Sequence, residues 1–112
     1  MGSETELAWA AGLIEGEGCF TKHTNAPYIL VDMTDKDIIQ RLYGIFPFGI
    51  MRGPYSNKTK PQHKPRWRFD AFGPKAKIIM EAIRPYMGER RGAKIDELLK
   101  DYVWVGGNGK SK

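Results

Sequence analysis

The stretch that decides the fold of this chain is Ala10-Ala11-Gly12-Leu13-Ile14-Glu15-Gly16-Glu17-Gly18. Upstream of it, Ser3-x-x-Glu6 has the spacing of a capping box, which predicts that a helix begins there. The helix would run to about Glu15, because the glycines that follow at alternate positions favour a break. The stretch is therefore predicted to contain the second half of a helix and the turn that ends it.

The predicted helix has two different faces. Leu7, Ala11 and Ile14 recur at helical spacing and form an apolar stripe that suits a core. A second stripe carries only small residues, which are Ala8, Gly12 and Gly16. A face of small residues lets another backbone approach closely, so this helix is suited to packing against a second helix.

After this helix the apolar residues alternate at a period of two, as in strands. Two hairpins are predicted, with strands at residues 18–24 and 28–34, and at residues 49–55 and 66–72. The first would turn on three residues, Asn25-Ala26-Pro27, and the second on the long, polar, lysine-rich loop 56–65. Two hairpins of this kind predict one antiparallel sheet of four strands.

Three further helices are predicted from helical spacing, at residues 36–46, from Gly73-Pro74 to about Pro85, and at residues 93–105. Asp35 would cap the first of them. The order αββαββα, with one extra C-terminal helix, predicts an α+β fold with a four-stranded antiparallel sheet covered by helices on one face. We expect a single domain over residues 1–105 and a flexible tail over residues 106–112.

The alternation also assigns side chains to the uncovered face of the sheet. The predicted outward set is Thr21, His23, Tyr28, Leu30, Asp32, Arg66, Arg68 and Asp70. A twisted ribbon that carries arginine, aromatic and hydroxyl groups suits the DNA major groove, where arginine reads guanine with two hydrogen bonds. The alternative is that Arg66 and Arg68 only keep an exposed face soluble.

Composition narrows the classes of partner. The chain has 112 residues and a formal net charge of +5, from 18 Lys plus Arg against 13 Asp plus Glu. This basic surplus favours nucleic acid as the partner. Cys19 is the only cysteine, which excludes an intrachain disulfide and a cysteine-built zinc site. No apolar run approaches the roughly 20 residues of a membrane span, so we expect an intracellular protein with no membrane partner.

The quoted stretch resembles the LAGLIDADG signature of homing endonucleases, in the variant AAGLIEGEG. Every position except Ala10 and Gly16 is identical or conservatively replaced. The stretch also ends a predicted helix and precedes a predicted strand, as in that family. The shared element order extends the resemblance over roughly residues 4–105. With one motif per chain, it implies a homodimer whose motif helices pack side by side through Ala8, Ala11, Gly12 and Glu15.

The resemblance also implies a metal site. In this family the motif helix ends in an acid that binds a divalent cation at the scissile phosphates, and Glu17 holds that position beside Gly16. Mg²⁺, or another divalent cation such as Mn²⁺, would be the cofactor. The residues themselves agree, because two carboxylates at the C-terminus of a helix are unfavourable unless a cation is expected there. Glu15 matches the other motif acid, which more often helps to structure the helix end.

Further positions follow from the same resemblance. Asp35 matches a polar residue that positions water in the active site. Arg90 matches the basic residue near the scissile phosphate, although its neighbour Arg91 stays an alternative. In the third and fourth strands, the positions that match base-contacting residues are Arg52, Arg66 and Arg68.

The implied function is a homodimeric, divalent-metal-dependent endonuclease that cuts both strands of a long pseudo-palindromic DNA site. Two alternatives of the same fold stay open, a sequence-specific DNA-binding protein that does not cut and an RNA-binding intron maturase. Glu15 and Glu17 stand where the family usually has aspartate, and the extra methylene moves each carboxylate by about 1.5 Å. The motif alone therefore does not decide between cutting and binding.

Overall fold

The computed structural model describes residues 2–56, 59, 64–100 and 102. Its helices and strands follow the predicted order, with a short 3-10 helix added before the last helix. In chain order they are α1 (Glu4–Glu17), β1 (Gly18–His23), β2 (Ala26–Met33), α2 (Lys36–Ile45), β3 (Ile50–Tyr55), β4 (Arg66–Phe72), α3 (Pro74–Ile83), the 3-10 helix (Arg84–Tyr86) and α4 (Glu89–Leu99). The predicted α+β fold, with an extra C-terminal helix, is confirmed.

The strands form one four-stranded antiparallel sheet in the order β1-β2-β4-β3. The two hairpins therefore join through β2 and β4, the central strands. The inward side chains of the sheet are buried against the helices: Phe20, Ile29, Val31, Phe69 and Ala71. The helices contribute the other side of this core through Ile14, Ile39, Leu42, Ile79, Met80, Ile83 and Ile95. None of the described helices covers the opposite face of the sheet.

α1 is capped as its sequence predicts. The Ser3 hydroxyl accepts the N–H of Glu6 at 3.2 Å, and the Ser3 N–H donates to the Glu6 carboxylate at 2.9 Å. The helix continues to Glu17 instead of ending at about Glu15. At its end the Gly18 N–H donates to the Ile14 carbonyl, and a Cβ on Gly18 would lie only 2.7 Å from that oxygen. Only glycine therefore lets β1 leave the helix this closely.

Other predicted boundaries also differ from the structure. The first hairpin turns on Thr24-Asn25 alone, with φ of +50° and +65°, and Ala26 already pairs within β2. Positive φ at both central residues indicates a two-residue turn of type I′, whose twist matches that of the strands. α4 begins at Glu89 and not at residue 93, because its first turn is polar and gave no apolar period. It ends at Leu99, so Tyr102, which was predicted within this helix, lies outside it.

Some predicted segments lie outside the described residues. They include residues 103–112, with the predicted tail, and most of the predicted loop 56–65. Among the described helices, none is long and apolar enough to cross a membrane.

Candidate functional site

The predicted outward side chains all lie on the open face of the sheet. Directly opposed residues of antiparallel strands share a face, and the strand registers arrange this face in rows. At the end of the sheet where β1 begins, one row is Asp32, Arg68 and Arg52. The next outward row is Cys19, Leu30, Asp70 and Ile50, and the third is Thr21, Tyr28 and Phe72. His23 follows at the far end of β1.

Asp32 holds two arginines at the first end of this face. Arg66 donates through Nε to the Asp32 carboxylate and through Nη2 to the Asp32 carbonyl at 3.0 Å. Arg68 donates through Nε and Nη2 to the other carboxylate oxygen, at 3.4 Å and 3.2 Å. The Arg68 guanidinium also lies over the ring of Tyr55, 5.0 Å from its centroid. The positive charge at this end is therefore fixed in place before any ligand binds.

The middle of the open face contains a buried carboxylate. Asp70 is only 6% exposed, and it accepts the Tyr28 hydroxyl at 2.8 Å while Arg52 Nε lies 3.7 Å away. Burial raises the pKa of Tyr28 to about 12, and the hydrogen bond and negative charge of Asp70 add to this rise. Tyr28 therefore keeps its proton, and its bond to Asp70, throughout the neutral pH range.

Aromatic rings occupy the far end of the open face. The His23 ring lies 5.7 Å from the Tyr28 ring and 5.9 Å from the Phe72 ring, which it meets edge to face. Phe72 is 45% exposed. The sequence analysis did not single out Phe72, although the alternation of Arg66, Arg68 and Asp70 extends directly to it. The face thus changes from arginines at one end to aromatic rings at the other.

Within the described part of the chain, nothing packs against the outer face of α1. Ala8, Gly12 and Gly16 are exposed, and a Cβ added to either glycine would meet nothing within 4 Å. An apolar groove beside this face is lined by Trp9, Leu13, Met33 and Ile38, and it reaches Glu17. Ala11, which the sequence analysis placed in the dimer interface, is instead buried in the core of its own chain.

The two acids of the motif have different surroundings. Glu15 is half-buried, and its carboxylate accepts the N–H of Gly88, the residue before α4, at 3.1 Å. It therefore ties the end of α1 to the positive end of another helix. Glu17 is exposed, and within the described part of the chain its carboxylate has no hydrogen bond or ion pair.

Arg90 and Arg91 are also distinguished by their contacts. Arg91 donates through Nη2 to the Gly18 carbonyl at 2.8 Å and lies against the Phe20 ring. Its Nε is buried without a partner in the described structure. Arg90 is exposed, and it lines the groove that contains Gly18 and Cys19, directly after Glu17. Of the two, Arg90 has the side chain that is free to meet a ligand.

Asp35 does not cap α2 through its side chain. Its backbone carbonyl accepts the N–H groups of Ile38 and Ile39, at 3.1 Å and 3.2 Å. Among the described residues, the exposed carboxylate accepts only the Thr34 hydroxyl, at 3.2 Å. The side chain is therefore not occupied by the helix, and the capping role that the sequence suggested belongs to the backbone alone.

The described residues of one chain do not form a complete metal site. Among them, no group of three or more His, Cys, Asp or Glu side chains comes together. What the chain offers is the free carboxylate of Glu17 at the end of a helix face that has no neighbour. This donor suits Mg²⁺, which takes one or two carboxylates and completes its shell with phosphate oxygens and water.

The comparisons with known proteins agree with this architecture. No protein-family model and no curated protein matches the sequence. Among solved structures, the homing endonuclease I-CvuI in complex with its target and calcium superposes with a TM-score of 0.64 at 17% identity, covering 86% of this chain. The archaeal intron-encoded homing endonuclease I-Vdi141I, complexed with DNA, superposes with a TM-score of 0.63 at 10% identity, covering 87% of this chain.

The chain has the LAGLIDADG homing endonuclease fold. The resemblance that the AAGLIEGEG motif indicated is thereby confirmed at the level of the fold. A third neighbour, the homing endonuclease I-TnaI, has a TM-score of 0.53 at 13% identity and covers 84% of this chain. The chain spans 64% of the length of I-CvuI and 66% of that of I-Vdi141I. In this LAGLIDADG fold the motif is the C-terminal half of α1.

Proposed function

We propose that this protein is a homodimeric, metal-dependent DNA endonuclease that cuts both strands of a long pseudo-palindromic site. The observation that carries the proposal is the outer face of α1. It consists of small exposed residues and ends in the carboxylate of Glu17, and among the described residues nothing packs against it or pairs with that carboxylate. A second copy packed on this face would bring two such carboxylates together.

The open sheet face supports the choice of substrate. It is accessible along the strands and carries arginines, a hydroxyl and aromatic rings in successive rows. I-CvuI and I-Vdi141I, which share this fold, are structures in complex with DNA. Two sheets related by a twofold axis would read the same sequence in opposite directions, so the DNA site is expected to be pseudo-palindromic.

The residues near the end of α1 take distinct roles in this proposal. Glu17 holds the divalent cation, with the Gly16 carbonyl beside it, and the cation supplies activation of water and stabilisation of the leaving oxygen when bound. Asp35 orients the attacking water through the carboxylate that α2 does not use. Arg90 offsets the negative charge that develops on the scissile phosphate.

The carboxylate of Glu15 is excluded from metal binding in this proposal. It is already used to bind the start of α4 through Gly88. Each subunit therefore contributes one acid, Glu17, to the centre of the dimer. Its longer side chain replaces the usual aspartate, and its exposure leaves it room to adapt to the cation.

The proposal is tested by a cleavage selection. The purified protein is incubated with pooled DNA duplexes of random sequence in Mg²⁺ or in Ca²⁺, and both the cut ends and the bound duplexes are sequenced. Glu17→Gln is the matched variant, because it keeps the size of the side chain and removes its charge. We expect cut ends from one enriched pseudo-palindrome in Mg²⁺, and none with Glu17→Gln.

The selection also has an outcome against cutting. Enriched binding without cut ends in either metal would show a DNA-binding protein of this fold that lacks the chemistry. Equal cutting by the wild type and Glu17→Gln would remove Glu17 from the active site.

A further inference from the structure

We propose that Asp32 is a positioning residue that presents Arg66 and Arg68 to guanines in each half of the DNA site. The inference rests on the proposed DNA binding. It further specifies that one end of the sheet recognises guanine. Arg66 and Arg68 are two residues apart on β4, which is about 7 Å. Successive base pairs are about 3.4 Å apart, so the two guanines should lie within about two base pairs of each other.

Each arginine binds Asp32 through only one edge of its guanidinium group. A guanidinium can donate a pair of hydrogen bonds from its Nε and Nη2 edge or from its Nη1 and Nη2 end. Arg66 and Arg68 both use Nε and Nη2 on Asp32, one on the carboxylate and the carbonyl, the other on the carboxylate alone. The Nη1 and Nη2 ends stay available, and the O6 and N7 atoms of guanine accept such a pair of donors.

The arginines are also held before DNA arrives. Arg68 is bound along one edge by Asp32 and covered on one plane by the ring of Tyr55. A long side chain that is already ordered loses less conformational freedom on binding, which favours selective contacts over adaptable ones. Arg52 on the same row is the contrast, because among the described residues its carboxylate contact is a single ion pair with Asp70 at 3.7 Å.

A simpler role for Asp32 would be to reduce the positive charge of the face. The two roles differ in what removal of the carboxylate does. Loss of a neutralising charge would raise affinity for every DNA sequence alike. Loss of a positioning residue would reduce the preference for guanine at two positions, whatever happens to the total affinity.

The test is a binding selection on pooled random DNA duplexes in Ca²⁺, so that no cutting is needed. The wild type is compared with Asp32→Asn and Asp32→Glu. The matched control is Asp37→Asn, an equal change of charge at an exposed position of α2 that contacts neither arginine. Asp32→Glu keeps the charge and moves the carboxylate by about 1.5 Å. Thermal unfolding checks that each variant is folded.

For the wild type we expect a guanine preference of roughly five- to 150-fold at two positions of each half-site, the range for a bidentate arginine contact. Asp32→Asn should reduce both preferences together, and Asp32→Glu should reduce them although the charge is unchanged. Asp37→Asn should keep them. Arg66→Lys and Arg68→Lys keep the charge but lose the planar fork, and each should remove one preference.

The failures are distinguishable. If the wild type enriches no sequence, both the DNA-binding function and this inference are wrong. If it enriches a pseudo-palindrome without guanines at neighbouring positions, or if Asp32→Asn and Asp32→Glu keep the guanine preference, only the role of Asp32 is overturned. Should Asp32→Asn fail to fold, the Asp32→Glu and arginine variants decide the question.

Discussion

The two faces of α1 differ in how far other residues of the described chain bury their side chains and bind their polar groups. On the inner face, Ala10, Ala11 and Ile14 are buried in the core and Glu15 is bound to Gly88. On the outer face, Gly12 has open space around it and Glu17 has no partner within the described residues. An apolar or small-residue face that a chain leaves uncovered marks a place for another molecule.

The two glutamates at the end of α1 also lie on different sides of the helix. Glu15 and Glu17 differ by a rotation of about 200° around the helix, so they cannot serve the same neighbour. One carboxylate is used by the fold, and the other is available for chemistry. Four substitutions test this division, in order of the expected size of the effect.

The largest effect is expected for Glu17→Gln on the outer face. On the DNA site obtained from the selection, it should reduce the cleavage rate by at least about a thousandfold, equivalent to about 4 kcal/mol in the barrier. The melting temperature should not fall below that of the wild type, because the carboxylate has no hydrogen bond or ion pair among the described residues. Single-turnover cleavage and thermal unfolding measure the two quantities. A variant that melts at a lower temperature would show that Glu17 has a structural role.

The next effect is expected for Ile14→Ala on the inner face. Ile14 is fully buried, so its truncation should lower the free energy of unfolding by about 2–5 kcal/mol. Urea unfolding followed by circular dichroism measures this change. The control is Ile78→Ala on α3, where the side chain is 46% exposed and the expected change is within about 0.5 kcal/mol. Similar losses for the two variants would mean that the inner face is not the core side.

A smaller effect is expected for Gly12→Val on the outer face. A Cβ on Gly12 meets nothing within 4 Å among the described residues, so the single chain should fold normally. The added bulk should weaken the dimer by about 1–3 kcal/mol, or roughly five- to 150-fold in the dissociation constant. Sedimentation velocity over a range of concentrations measures this constant.

Gly44→Val provides the matched control for that experiment. Gly44 is an exposed helical glycine of α2 whose added Cβ also meets nothing within 4 Å. Valine there should leave the dimer unchanged. If both variants weaken the dimer equally, or if the wild type is a monomer throughout, the outer face of α1 is not the interface.

The smallest effect is expected for Glu15→Gln on the inner face. The amide oxygen can still accept the Gly88 N–H, but the charge that favours the start of α4 is lost. The expected loss is about 1 kcal/mol in the free energy of unfolding. Cleavage should stay within about tenfold of the wild type. A thousandfold loss of cleavage in this variant would show that Glu15, like Glu17, is needed for cleavage, and the proposed difference between the two acids would be wrong.

The sequence predicted the element order because each element has a clear period. Alternation placed the arginines of β4 on one face, and the capping box of Ser3 and Glu6 located the start of α1. The failures have local causes. Thr24 adopts a left-handed backbone conformation, which is uncommon for threonine and was not predicted from its residue type. The first turn of α4 contains no apolar residue, so no helical period was visible there.

The contacts within the site were less accessible to sequence reasoning. The pairing of Asp32 with Arg66 and Arg68 depends on the register between β2 and β4, which are separated in the chain by a helix and another strand. The bond between Glu15 and Gly88 joins the two ends of the chain's core, 73 residues apart. Residue types alone do not encode either contact. The sequence therefore identified the acidic and basic side chains of the site but not which of them are bound to another residue of the same chain.

The junction at Gly18 has a mechanical consequence. With the Ile14 carbonyl directly behind it, the sheet leaves the helix without a flexible linker. A rotation of α1 would therefore carry the start of β1 with it. In the proposed dimer, a change in the angle between the two motif helices would therefore alter the spacing between the two sheets.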